Sequence, residues 1–125
     1  MNENEISYEI RGAIFEVFNE LGPGLLESVY TQAMYIELVN KGLKVYKELA
    51  LPVYYKNHKM DLGFRLDLLV EEKVIIELKS VETLLPVHHK QLLTYLKVTT
   101  LKLGILVNFN TDEISNSIFR KVNNL

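Results

Sequence analysis

The sequence predicts an α/β fold, a mixed central sheet flanked by helices. Three observations predict it. Residues 4–21 and 25–41 carry apolar side chains at helical spacing, residues 60–70 and 74–79 alternate as strands do, and 101–109 (LKLGILVNF) is nearly continuously apolar. The last pattern suits a strand covered on both faces, as in a parallel pairing beneath helices. At 125 residues the chain has the length of one domain, taken as residues 1–125, and can bury a core without a covalent staple.

Taken in order, the first helix puts Ile6, Ile10, Ala13, Ile14, Val17, Phe18 and Leu21 on one side and Glu5, Glu9, Arg11, Glu16 and Glu20 on the other. Gly22-Pro23-Gly24 stops it. The second helix has Leu25, Leu26, Val29, Ala33, Met34 and Leu38 as its apolar stripe and Gly42 as its cap. Residues 43–55 form an extended arm bent at Pro52, and Lys56-Asn57-His58 a turn. In 60–70, Met60, Leu62, Phe64, Leu66, Leu68 and Val70 share one face and Asp61, Arg65 and Asp67 the other. Val74, Ile76 and Leu78 oppose Ile75, Glu77 and Lys79 in the next strand. Pro86 opens a third helix over 86–98, the apolar strand follows, and a short helical segment is expected over 111–120.

Composition narrows the function. With no cysteine there is no disulfide, thiolate zinc site or cysteine nucleophile, and three histidines at 58, 88 and 89 form no zinc pattern. Fourteen basic against sixteen acidic residues, a net charge of −2, exclude a strongly basic nucleic-acid binder, whose affinity rests on many phosphate contacts. A local or metal-assisted contact remains open. The polar, acidic start is not a secretory signal and no apolar run approaches the roughly 20 residues that span a bilayer, so a cytoplasmic protein without membrane contact is expected.

The two alternating strands set their own register, because a one-residue slip turns one apolar set to the wrong face. Pairing Val70 with Val74 leaves Glu71-Glu72-Lys73 as the loop and puts Leu68 opposite Ile76, Leu66 opposite Leu78, Asp67 opposite Glu77 and Arg65 opposite Lys79. Two carboxylates side by side are unfavourable in a sheet. A divalent cation compensates them, and Mg²⁺ (or Mn²⁺) needs no more than one or two carboxylates beside its waters. Lys79 would orient or deprotonate an attacking water, or offset charge at a phosphorane-like transition state. The plainer alternative is a solvated face on which Asp67 pairs with Arg65 and Glu77 with Lys79.

A wider pattern surrounds this pair. Leu21-Gly22-Pro23-Gly24-Leu25-Leu26-Glu27-Ser28-Val29-Tyr30 resembles the signature of the GxxExxY protein family, with Gly24, Glu27 and Tyr30 at its named positions. That family belongs to the PD-(D/E)XK nuclease superfamily. Arg65-Leu66-Asp67-Leu68-Leu69-Val70 resembles its metal-binding strand, Glu77-Leu78-Lys79 its (D/E)XK triplet, Gln91-Leu92-Leu93-Thr94-Tyr95-Leu96 the following helix, and Leu103-Gly104-Ile105-Leu106-Val107-Asn108-Phe109 its late strand. The resemblance spans about residues 5–122. Leu66 stands where the superfamily carries its variable proline.

The resemblance implies a restriction-endonuclease-like αβββαβ core and metal-dependent hydrolysis of phosphodiester bonds in nucleic acid, with DNA the expected substrate. It implies Asp67 and Glu77 as metal ligands, the Leu78 carbonyl as a main-chain ligand, Lys79 serving the water, Glu27 completing the metal shell directly or through water, and Gln91 orienting the phosphate or the lysine. Tyr30, Arg65 and Tyr95 are the remaining substrate-binding candidates. Each has a plainer reading. Glu27 at the third position of a helix capped by Gly24 would stabilise that helix by about 0.3–1 kcal/mol. Tyr30 suits a buried, hydrogen-bonded position, Arg65 a carboxylate partner, and the stripe His88, Gln91 and Tyr95 a solvated helix face. A homodimer would bring two sites to two strands. A catalytically silent nucleic-acid-binding or protein-interaction module on the same fold is the alternative function. The net charge no longer opposes a nuclease, since one Mg²⁺ would neutralise the formal −2.

Overall fold

The computed structural model describes residues 1–60 and 63–125; the expected facing of Asp61 and Leu62 lies outside the described residues. The chain runs α1 (Glu3–Leu21), α2 (Glu27–Asn40), β1 (Val45–Tyr55), β2 (His58–Val70), β3 (Val74–Lys79), α3 (Pro86–Thr99), β4 (Leu103–Asn108), a 3₁₀ turn (Ile114–Asn116) and β5 (Ile118–Val122). The αβββαβ order read from the sequence is present. α1 starts on a reciprocal cap: the Asn2 side chain accepts from the Glu5 N–H at 2.8 Å, and the Glu5 carboxylate accepts from the Asn2 N–H at 2.9 Å.

The five strands lie in the order β1-β2-β3-β4-β5, antiparallel throughout except β3 and β4, which are parallel. Parallel neighbours need a crossover, and α3 supplies it. The apolar β4 is covered on both sides, as its composition requires. Gly104 within it lets α3 settle closely, since a Cβ there would lie 2.7 Å from Leu92 Cδ1. The final segment differs from expectation. Residues 111–120 are not helical: one 3₁₀ turn leads into β5, which pairs Phe119 with Leu106 and Ile118 with Val107. The unpaired edge of β4 outweighed a short helix with no apolar stripe of its own.

The sheet divides two cores. On one face α1 and α2 contribute Ile6, Ile10, Ile14, Tyr30, Met34 and Leu38 over Leu68, Val70, Val74, Ile76 and Leu78. On the other, α3 contributes Leu92, Tyr95 and Leu96 over Leu66, Leu69, Ile75 and Leu106. In α2 the inward stripe is therefore Tyr30, Thr31, Met34 and Leu38, and the expected Leu25, Leu26 and Val29 are exposed. The 71–73 loop closes without glycine. Glu71 and Glu72 take left-handed conformations (φ 54° and 56°), tied down where the Lys44 N–H donates to the Glu71 carboxylate at 2.6 Å and the Tyr46 hydroxyl to Glu72 at 2.7 Å. No helix among the described residues is long and apolar enough to cross a membrane.

Candidate active site where β2 and β3 separate

The hairpin register begins as the apolar faces demand: Val70 pairs with Val74, Leu69 with Ile75 and Leu68 with Ile76. There the ladder ends. The expected backbone pairs Asp67–Glu77, Leu66–Leu78 and Arg65–Lys79 do not form. Side chains take over: Asp67 Oδ2 accepts the Leu78 N–H at 2.9 Å, and Glu77 Oε1 accepts the Asp67 N–H at 3.3 Å. Each carboxylate thus satisfies a backbone donor that the separating strands would have orphaned.

The same point reverses the facing of β2. Leu68 and Val70 lie toward α1 and α2, but Leu66 and Phe64 lie toward α3, so the expected unbroken alternation from 60 to 70 fails at Asp67. The neighbouring strand yields too. Glu48, between Lys47 and Leu49, which pair with Leu68 and Leu66, has φ 54°, and β1 changes face with it, from Val45 on one side to Leu49 and Leu51 on the other. An irregularity of this kind re-aims a side chain. Here it lets Leu66 enter the α3 core while Asp67 meets Glu77.

The resulting site lies beneath α3. Glu77 is 4% exposed. Burial, and then the Asp67 charge, push its carboxyl up to about 9, with Lys79 pulling the other way. Tyr95, also 4% exposed, sits over the pair. Burial and the two carboxylates raise its phenol to about 12, and the Gln91 side chain opposes that rise. The Tyr95 phenol therefore keeps its proton at any ordinary pH. Its ring rests edge-on against Phe64, centroids 4.9 Å apart. It belongs to the buried stripe of α3, so the plainer reading of a solvated face holds for Gln91, exposed beside it, and not for Tyr95. His88 does not join them: its Nδ1 accepts the Leu85 N–H at 3.0 Å and caps α3.

Two residues of the 22–30 motif depart from the roles the resemblance implies, Tyr30 by taking the buried, hydrogen-bonded place that its plainer reading gave it. Tyr30, a substrate-binding candidate, is fully buried. Its hydroxyl donates to the Gly22 carbonyl at 2.5 Å and accepts the Leu25 N–H at 3.2 Å, and its ring stacks on Phe109 at 4.4 Å. It holds the turn and touches no open surface. Glu27 is the first residue of α2, after Leu26 as N-cap, so the expected cap by Gly24 with Glu27 at the third position is not formed. No group of three His, Cys, Asp or Glu side chains able to hold a metal gathers among the described residues, so Glu27 does not close a three-carboxylate set with Asp67 and Glu77. The loop itself is anchored beside the site, because the Ser80 hydroxyl donates to the Leu25 carbonyl at 2.6 Å.

Ser80, Phe64 and Asn108 are supports that the sequence reading passed over. Asn108 is buried; its amide donates to the Val81 carbonyl at 2.8 Å and its oxygen accepts the Val81 N–H at 3.1 Å, fixing the chain just past Lys79. A lone Asn ending an apolar run was the available signal, since a buried amide must find partners.

The donor set fits a hard divalent cation. Two adjacent carboxylates, one costly to ionise where it is buried, match the one or two that Mg²⁺ takes from a protein. The Leu78 carbonyl shares the edge of its own N–H, which points at Asp67, so it opens into the same gap. A family model for the PD-(D/E)XK nuclease superfamily matches residues 4–121. The chain belongs to the PD-(D/E)XK nuclease superfamily. Comparison with curated proteins and with solved structures gives no match. Asp67 and Glu77 meet at the β2–β3 split, and Lys79 is near enough to Glu77 to oppose the rise of its carboxyl.

Proposed function

We propose that this PD-(D/E)XK protein is a metal-dependent nuclease of the GxxExxY type that hydrolyses phosphodiester bonds, DNA being the expected substrate. The observation that carries this reading is the Asp67–Glu77 pair, locked onto the backbone amides of Leu78 and Asp67 and covered by a protonated Tyr95. Asp67, Glu77 and the Leu78 carbonyl would hold Mg²⁺ or Mn²⁺. The ion would polarise the scissile phosphate and lower the pKa of a bound water. Lys79 serves the attacking water or offsets charge on the phosphate oxygens. Gln91 and the Tyr95 hydroxyl donate toward the phosphate, and Arg65 lies exposed two residues before Asp67 to meet the next one. Glu27 enters only through water.

The test is incubation with single- and double-stranded DNA and RNA in Mg²⁺, Mn²⁺ or chelator, with Asp67→Ala and Lys79→Ala as controls. Cleavage that needs metal and disappears in both variants supports the assignment. Cleavage that survives both overturns the site. No cleavage of any substrate leaves the silent interaction module as the function.

A further inference from the structure

Beyond the site, β1 and β2 run on as a two-stranded arm. β3 accompanies β2 only from Leu68 to Val70, whereas the β1–β2 pairing continues through Leu51–Phe64 and Val53–Met60 to Tyr55–His58. The arm leaves the sheet at a built bend. The register shifts between Leu51 and Val53, around Pro52, and Gly63 stands opposite: a Cβ on it would lie 2.1 Å from the Leu51 carbonyl oxygen. Only glycine allows that approach.

The arm's surface is unlike the rest of the chain. Residues 51–65 hold Lys56, Lys59 and Arg65 against one acid, in a protein whose net charge is −2. Among the described residues the ion pairs are Lys41–Glu9 and Lys44–Glu72, neither on the arm. Tyr54 and Tyr55 are 61% and 59% exposed, and the Lys56 ammonium stands 5.4 Å from the Tyr55 ring centre. At the bend, Lys59 and Arg65 line a hollow of about 330 Å³ together with Met60 and Phe64. Phe64, which lines the hollow, touches Tyr95, and Tyr95 covers Asp67 and Glu77, so one side chain links this hollow to the site. Neither core needs these rings or cations.

We propose, resting on the nuclease reading, that the β1–β2 arm binds a single strand of nucleic acid running away from the Asp67–Glu77 site, with Tyr54 and Tyr55 stacking bases and Lys56, Lys59 and Arg65 meeting phosphates. Tyr54 and its cross-strand neighbour Lys59 share one face of the arm, and Tyr55 lies on the other beside Lys56 at the tip; exposed rings next to cations are the chemistry of single-strand binding. On β1, the five steps from Leu49, opposite Leu66, to Tyr54, opposite Lys59, cover about 16 Å at about 3.3 Å per strand residue, room for a few nucleotides. The charge is concentrated where the strand lies, so a protein acidic overall needs no basic face elsewhere.

The test separates binding from cleavage. Fluorescence anisotropy in chelator measures binding of labelled single-stranded DNA, single-stranded RNA and duplex DNA. Tyr54→Ala with Tyr55→Ala weakens single-strand binding at least fivefold per ring, while Tyr54→Phe with Tyr55→Phe retains it, because stacking needs the ring alone. Lys56→Gln with Lys59→Gln lowers the slope of log affinity against log salt by about 1.4, at about 0.7 per single-strand phosphate. Thermal unfolding of each variant at the wild-type midpoint excludes misfolding. Single-strand affinity unchanged in the alanine and glutamine variants, duplex bound as tightly as single strand, or an arm that proves to be a dimer contact (the wild type dimeric and the Tyr54/Tyr55 alanine variant monomeric) overturns the proposal. Arm-dependent binding by a protein that cleaves nothing in Mg²⁺ or Mn²⁺ overturns the nuclease reading alone. Cleavage with arm-independent binding overturns the arm alone.

Discussion

Toward α1 and α2, β3 presents Val74, Ile76 and Leu78, all fully buried; toward α3 the same six-residue strand presents Ile75, Glu77 and Lys79. The first set meets apolar side chains and stabilises the fold by removing area from water. The second places a buried carboxyl beside another, a local cost that the first face offsets. One strand thus carries stability on one side and the proposed chemistry on the other, and mutations on its two faces should separate the two properties.

The largest effect falls on the chemical face. Asp67→Ala or Lys79→Ala should lower metal-dependent cleavage more than about a hundredfold, with the protein still folded by circular dichroism. The opposite face behaves in reverse. Ile76→Ala should cost about 2–5 kcal/mol in urea unfolding, with cleavage per folded molecule preserved. If Ile76→Ala abolished cleavage in the folded protein, the division of labour between the faces would be wrong.

Glu77 sharpens the comparison through pH. Its folded carboxyl titrates near 9, above the ordinary carboxylate range, so the stability tied to its proton is present at low pH and is lost as pH rises toward 9. In chelator the urea midpoint should fall between pH 5.5 and 8.5; Glu77→Gln should flatten that fall, and Mg²⁺ should reduce it. A midpoint that climbs over this range in wild type would contradict the assigned burial cost.

The two tyrosines divide in the same way. Tyr30→Phe removes the hydroxyl that bridges Gly22 and Leu25, leaving a buried donor and acceptor unmatched, and should cost about 1–3 kcal/mol of stability. Tyr95→Phe should cost less stability and lower cleavage. Smallest of all, His88→Ala removes a helix cap and should cost about 0.5–1 kcal/mol with no effect on cleavage, measured by thermal unfolding.

Much of this was legible from residue pattern. Both long helices, the Val70–Val74 register and the parallel role of the apolar run at 101–109 follow from spacing and composition; that register also anticipated Asp67 near Glu77, although side chains and not the ladder bring them together. The crossing of Leu66 to the α3 side was not legible, because alternation assumes an unbroken strand. Nor was the strand at 118–122, whose stability comes from β4 rather than from its own residues.

The sequence by itself determined the order of elements and which residues could carry the chemistry, because local periodicity and side-chain type are properties of neighbours in the chain. Tertiary structure alone decided how they are used. It ended the β2–β3 ladder at Leu68, turned Tyr95 inward over the carboxylates, committed the Tyr30 hydroxyl to a turn and kept Glu27 out of a three-carboxylate set. Each of these depends on which backbone donors are orphaned and which volumes α3 must fill, and both are settled only when segments far apart in sequence meet.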